Sequence, residues 1–145
     1  MDRREMLLGT AAVALAAAGN MAFAEGHDHQ HMHHGMKNQG LIDATFYCVQ
    51  KGQACIRHCL ELLGQGDKEM AACAISVNQM LAVCTSLGQL AGYESKHLAK
   101  MAKVAMDVCR ECEDECRKHA KKHQECADCA DACAACLKEC KQIAV

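Results

Sequence analysis

Residues 126–140 read CADCADACAACLKEC and contain five cysteines, separated by intervals of 3, 4, 3 and 4 residues. An α-helix has about 3.6 residues per turn, so these intervals bring all five thiols to one side of a helix. The opposite side carries four charged residues, Asp128, Asp131, Lys138 and Glu139. Charged side chains favour water, and the stretch therefore predicts an amphipathic helix whose buried face consists of thiols.

The other eight cysteines follow the same helical intervals. They are 7 and 4 residues apart in the first set, 11 apart in the second, and 3 and 4 apart in the third. The sets are Cys48, Cys55 and Cys59; Cys73 and Cys84; and Cys109, Cys112 and Cys116. Each set occupies one face of its helix, which predicts that all thirteen thiols point into one shared interior.

Helix signals place four helices at about residues 41–63, 68–91, 96–120 and 125–143. Gly64 and Gly66 end the first, Gly92 ends the second, and the chain contains no proline. The connections are short, so consecutive helices should be antiparallel neighbours. We therefore predict an all-α fold, an up-down-up-down four-helix bundle with a cysteine-lined core over residues 41–145.

The overall composition fits one compact domain and excludes some functions. The chain has 51% hydrophobic residues, and Lys+Arg 16 against Asp+Glu 18 gives a net charge of -2. Aromatic residues make up only 3%, so there is no surface on which nucleic-acid bases could stack. We expect no nucleic-acid partner.

The number and the spacing of the cysteines argue against several other roles for the thiols. A disulfide scaffold is typical of exported cysteine-rich chains, but the count is odd and neighbouring thiols on one helix link no distant segments. Inert core cysteines would leave a thinly packed interior. The ferredoxin spacing is absent, and a helix spreads four thiols over about 15 Å, too far for one iron-sulfur cluster. One or two structural zinc sites need fewer thiols.

Cu(I) fits the pattern best. It is a soft ion that prefers thiolate ligands, which two cysteines at i and i+4 or on adjacent helices can supply. Each ion offsets one thiolate charge, so about one ion per cysteine leaves the interior close to neutral. An exported thiol-disulfide redox protein using Cys133 and Cys136, and a disulfide-stapled structural bundle, stay open as alternatives. No acid-base pair or activated nucleophile is discernible, and we expect no enzymatic activity.

The segments YCVQKGQACIRHC, VCRECEDEC and ECADCADACAACLKEC resemble the four-helix-bundle copper storage proteins, in the branch that carries a twin-arginine leader. The resemblance runs from about Leu41 to Val145. It implies storage of multiple Cu(I) ions for later supply to copper enzymes, and a homotetramer. The resemblance also implies that all thirteen cysteines are Cu(I) ligands: Cys48, Cys55, Cys59, Cys73, Cys84, Cys109, Cys112, Cys116, Cys126, Cys129, Cys133, Cys136 and Cys140.

The family also places histidine and methionine donors at the open end of the bundle, where His58 and Met70 stand here. Leu62 and Gln65 depart from the family, in which methionine can occupy these places. In an up-down bundle the turns between helices one and two and between helices three and four are adjacent. We therefore expect His58, Met70, His119 and His123 to serve in copper uptake and release. Met80 and Met101 lie near inward faces, where core filling is the expected role.

The first 40 residues are predicted to lie outside the bundle. Arg3 and Arg4, the apolar run 6–18 and the Ala22-Phe23-Ala24 site are typical of a cleaved twin-arginine signal over residues 1–24. The run is shorter than the roughly 20 residues of a membrane span, so we expect none in the mature form and a periplasmic or extracytoplasmic location. Residues 25–40 should form a flexible tail that is either a transient copper ligand or a bland linker. Its histidines are His27, His29, His31, His33 and His34.

Overall fold

The structure, a computed structural model, describes residues 37–144 and contains four α-helices. They are α1 (Gln39–Gly64), α2 (Ala71–Gly92), α3 (Leu98–His119) and α4 (Gln124–Ile143), with a short 3-10 helix, Lys68–Met70, before α2. No strand occurs within residues 37–144, and the predicted all-α bundle is confirmed. The predicted leader and nearly all of the histidine-rich tail lie outside the described residues.

The helices pack in a square, in which consecutive helices contact each other and α1 also packs against α4. Among the described residues, the backbones of the diagonal pairs α1 with α3 and α2 with α4 stay apart, and these pairs meet through side chains at the centre, as at Cys84 and Cys136. The turns α1/α2 and α3/α4 therefore lie at one end of the bundle, which we call the mouth (residues 64–70 and 119–124). The α2/α3 turn lies at the other end, with the start of α1 and the end of α4.

Local backbone geometry explains where the helices begin and end. Asn38 has φ 71 and precedes α1, which starts two residues earlier than predicted. Gly66 lies in the turn that follows α1 and has φ 95, a left-handed conformation that glycine adopts without strain. The side chain of Asp67 accepts a hydrogen bond from the main-chain N–H of Glu69 and caps the 3-10 helix. Extended backbone at His123 separates α3 from α4 without glycine or proline.

The interior of the bundle has two parts. All thirteen cysteines are fully buried, and they occupy the centre and the end nearest the mouth. The opposite end is filled by apolar side chains, Leu41, Leu87, Ala91, Leu98 and Ala102, which are buried too. This apolar plug closes one end of the thiol-lined interior.

The outer surfaces of the helices differ in charge. On α4, Asp128 pairs with Lys51 of α1 at 2.9 Å, and Asp131 pairs with Arg117 of α3 at 2.7 Å. None of the 22 residues of α2 is charged. The segment Lys68–Gly92 is long and apolar enough to cross a membrane, and half of its most apolar part is buried inside the bundle. The uncharged surface of α2 therefore stands out from its charged neighbours.

Gly88 allows α1 and α2 to pack closely. A Cβ at Gly88 would lie 2.7 Å from Thr45 Oγ1 and 3.2 Å from the Phe46 ring. Thr45 is fully buried, and its hydroxyl donates a hydrogen bond to the carbonyl oxygen of Ile42 at 2.8 Å, so it has little freedom to move. The absence of a side chain at this position is required by packing.

We expect the Gly88→Ala variant to lose about 1 kcal/mol of unfolding free energy. The clash should cost about 1–3 kcal/mol, and the better helix propensity of alanine regains about 1 kcal/mol. Urea unfolding of the reduced protein measures the change as a lower midpoint. Gly64→Ala is the matched control, because a Cβ at Gly64 meets nothing within 4 Å. A Gly88→Ala midpoint at or above that of Gly64→Ala would contradict the packing argument.

Candidate metal centre

The thirteen thiols form one continuous network along the bundle axis. Four groups of sulfur atoms, each with all members within 4.8 Å of one another, occur along the interior. The groups are Cys55, Cys59, Cys73 and Cys126; Cys55, Cys116 and Cys129; Cys112, Cys129 and Cys133; and Cys48, Cys84 and Cys109. The first group lies near the mouth and the last lies deepest. The remaining thiols join at the deep end, since Cys136 lies 4.0 Å from Cys84 and 3.9 Å from Cys140.

Contacts between sulfur atoms link all four helices. Cys84 of α2 lies 3.5 Å from Cys109 of α3, and Cys48 of α1 lies 3.7 Å from Cys133 of α4. On single helices, the i and i+4 thiols of Cys136 and Cys140 are 3.9 Å apart and those of Cys55 and Cys59 are 4.0 Å apart. A disulfide bond requires about 2.05 Å between sulfur atoms, and all thirteen cysteines are free thiols in this structure. The spacing leaves room for an ion between neighbouring sulfur atoms.

The thiols differ in how readily they lose a proton. Hydrogen bonding with Cys109 raises the pKa of the Cys84 thiol, and hydrogen bonding with Cys116 raises that of Cys55. Hydrogen bonds from Cys133, and also from Cys48 and Cys84, lower the pKa of Cys109 to about 6. In such contacts one sulfur stays protonated and donates its hydrogen bond to a neighbouring thiolate. The thiols of the interior therefore differ in acidity, and a cation that binds at the protonated ones must displace protons.

Beside the mouth, two of the predicted residues are in direct contact. His58 Nε2 lies 2.9 Å from His123 Nδ1, and the Glu125 carboxylate lies 3.8 Å from the same His58 nitrogen. Met70 is buried in the core together with the cysteines. His119 is half-exposed, and its carbonyl oxygen accepts hydrogen bonds from the main-chain N–H groups of Lys122 and His123. The structure thus places the His58–His123 pair beside the first cysteines.

Met80 takes part in the thiol network. Its Sδ atom lies 3.3 Å from Cys48 Sγ, and its side chain is fully buried. From the sequence we expected core filling at this position. Met80 lies 7 residues after Cys73 and 4 before Cys84, the intervals of the cysteine stripe itself. Counting thioethers with thiols would have placed it in the predicted donor set.

The chain matches a family model and is similar in sequence to a known protein. The family model described as "Copper storage protein" matches residues 32–145. The "Uncharacterized cysteine-rich protein YhjQ" of Bacillus subtilis (strain 168) is 25% identical over 107 residues, which cover 74% of this chain and 95% of that protein.

Three solved structures are similar in fold. Apo copper storage protein 3 from Bacillus subtilis is 25% identical with a TM-score of 0.66, covering 74% of this chain and 99% of that one. The Cu(I)-bound copper storage protein BsCsp3 is 25% identical with a TM-score of 0.68, covering 75% and 99%. The copper storage protein Ccsp from Streptomyces lividans, loaded with 10 copper equivalents, is 24% identical with a TM-score of 0.68, covering 77% and 88%. The last likeness concerns the fold alone.

Proposed function

Since this chain belongs to the copper storage protein family, we propose that its bundle stores multiple Cu(I) ions, held by the thiolates of all thirteen cysteines. The observation that carries the proposal is the continuous network of fully buried thiols. Cu(I) prefers soft sulfur ligands, and each bound ion offsets the charge of one thiolate. An accessible low-pKa thiol is what a redox enzyme needs. The burial of every thiol supports storage instead of thiol-disulfide catalysis.

Anaerobic titration of the reduced protein against a chromophoric Cu(I) chelator tests the proposal. Free thiols are counted in parallel with a thiol reagent under denaturing conditions. We expect uptake of about one ion per cysteine, with thiol reactivity falling as copper is bound. Saturation at one or two ions, with most thiols still reactive, would overturn the storage function.

Copper uptake should release protons, and the pH dependence has a definite sign. At pH 7.5 the thiols with a raised pKa, such as Cys55 and Cys84, are protonated. Cu(I) displaces these protons, so the affinity of such sites should rise about tenfold per pH unit as pH increases. Between pH 7 and pH 5 the thiolates of Cys109 and Cys116, with pKa values of about 6, become protonated as well, and the number of protons released per ion should increase.

A weakly buffered solution containing an indicator dye reports this proton release during copper addition. The control is addition of the same copper complex to buffer without protein. Uptake with no proton release at either pH would show that the thiols are already fully ionised and would contradict the assignment.

Copper enters and leaves, in this proposal, through the mouth, with His58, Met70, His119 and His123 as transient ligands. Support comes from the contact of His58 with His123 and from the apolar plug at the other end. The double variant His58→Ala, His123→Ala should load several-fold more slowly while keeping its capacity. His97→Ala is the control, because His97 lies at the plugged end of α3. Equal loading rates for the two variants would overturn the mouth assignment.

The protein forms a homotetramer in this proposal. The outer surface of α1 and α2 supports it, since Phe46, Leu60 and Ile75 are 48%, 58% and 61% exposed beside an uncharged helix. Ile75→Lys should shift the mass measured by light scattering toward smaller species. Val104→Lys on α3 serves as control, because Val104 is exposed to a similar extent at 50%. A monomeric wild-type protein would overturn the tetramer.

Export by the twin-arginine route, with removal of residues 1–24, completes the proposal. It rests on Arg3, Arg4 and the apolar run that follows them. A periplasmic or extracytoplasmic store would supply copper enzymes outside the cytoplasm. Replacement of both arginines by lysine should retain the protein in the cytoplasmic fraction, and unchanged fractionation would overturn the route.

A further inference from the structure

Met80 lies beside the deepest group of thiols, one helical turn nearer the mouth than Cys84 of the same helix. Its Sδ atom lies 3.3 Å from Cys48 Sγ, and Cys48 in turn belongs to the group formed with Cys84 and Cys109. Both Met80 and Cys48 are fully buried. The thioether therefore adds a soft sulfur donor to a group of thiols at the end far from the mouth.

The backbone of α1 holds Met80 in this place. A Cβ at Gly52 would lie 2.5 Å from Met80 Cε and 2.9 Å from Leu81 Cδ2. Glycine at this position lets α1 approach the Met80 methyl group closely. The methyl group thus packs against α1 while the sulfur contacts Cys48. In this arrangement the sulfur faces the thiols of the interior.

Charge distinguishes a thioether from another thiolate in this part of the bundle. An ion of charge +1 bound by two thiolates has a net charge of −1, whereas one bound by a thiolate and a thioether is neutral. Net charge is costly to bury far from water, and the buried apolar residues Leu41 and Leu87 lie about two helical turns beyond Cys48 and Met80 along α1 and α2. A neutral sulfur ligand is therefore suited to this buried part of the interior.

We propose that Met80 is a copper ligand, and that its thioether together with the Cys48 thiolate binds a Cu(I) ion beside the deepest group of thiols. The inference rests on the proposed storage function, and it assigns to Met80 a role beyond packing. Met80 completes the donor set, so the capacity of the bundle depends on one residue that is not a cysteine.

Selenomethionine labelling gives a direct test. The labelled protein is loaded anaerobically with Cu(I), and X-ray absorption at the selenium edge detects copper bound to selenium. The wild type should show copper–selenium scattering that the Met80→Leu variant loses in part, because Met70 near the mouth is also a proposed ligand. Met101→Leu, which removes a half-buried methionine of α3, should keep it. Leucine has a similar volume, so the fold should be retained and the capacity of Met80→Leu should fall by about one ion.

The outcomes separate the two proposals. If the wild type takes up no copper, the storage function and the ligand assignment fail together. If it loads fully but its selenium spectrum matches that of Met80→Leu, the store stands and the assignment of Met80 is overturned. A full ion count in Met80→Leu, with unchanged affinity for the last ion bound, would overturn it too.

Discussion

Loading the reduced bundle with Cu(I) should raise its thermal unfolding temperature by tens of degrees. A ligand that binds only the folded state at 100 times its Kd stabilises that state by about 2.7 kcal/mol per site. A single kcal/mol shifts the unfolding temperature of a small domain by about 4–8 °C. The thiols come from four helices, so the network is preformed only in the folded chain. Several linked sites should therefore produce a large shift.

Differential scanning calorimetry under anaerobic conditions, at increasing copper content, measures this shift. Removal of the metal with excess chelator should restore the unfolding temperature of the copper-free protein, which controls for irreversible damage. A copper-filled protein that unfolds at the same temperature as the copper-free one would show that the ions bind equally well to the unfolded chain, and the buried network would not be their site.

Removal of the cysteines of α4 should reduce copper capacity by more than the five thiols removed. These thiols are partners for thiols of the other helices, as Cys126 is for Cys55 at 3.8 Å and Cys133 is for Cys48 at 3.7 Å. Cys129 and Cys136 similarly face Cys112 and Cys84 at 4.0 Å. The variant replaces Cys126, Cys129, Cys133, Cys136 and Cys140 by alanine. Fewer than eight ions should bind, because most remaining thiols lose a cross-helix partner.

Alanine avoids placing hydroxyl groups without hydrogen-bond partners in the core, and circular dichroism checks that the helices persist. Serine at Ala127, Ala134 and Ala135, outside the cysteine stripe of the same helix, provides the control and should leave capacity unchanged. Binding of eight or more ions by the alanine variant would mean that each thiol holds its ion independently of α4.

The periodicity of the cysteines made the fold predictable, since intervals of 3, 4, 7 and 11 residues place side chains on one face of an α-helix. The helix boundaries followed from Gly64 and Gly92, but the α3/α4 boundary depends on extended backbone at His123 that no glycine or proline announces. The close contact of His58 with His123 required a three-dimensional arrangement of two turns. The contact of Met80 with Cys48 was missed because methionine is common in cores, although its intervals to Cys73 and Cys84 match those of the cysteine stripe.

The apolar plug also bears on how the store would deliver its contents over time. If ions leave only through the mouth, the number of exits does not grow with the number of ions held. Ions deep in the bundle would move outward along the sulfur network, each step replacing an ion that has left. Release would then proceed at a nearly constant rate until the bundle was almost empty. The protein would therefore even out fluctuations in copper supply.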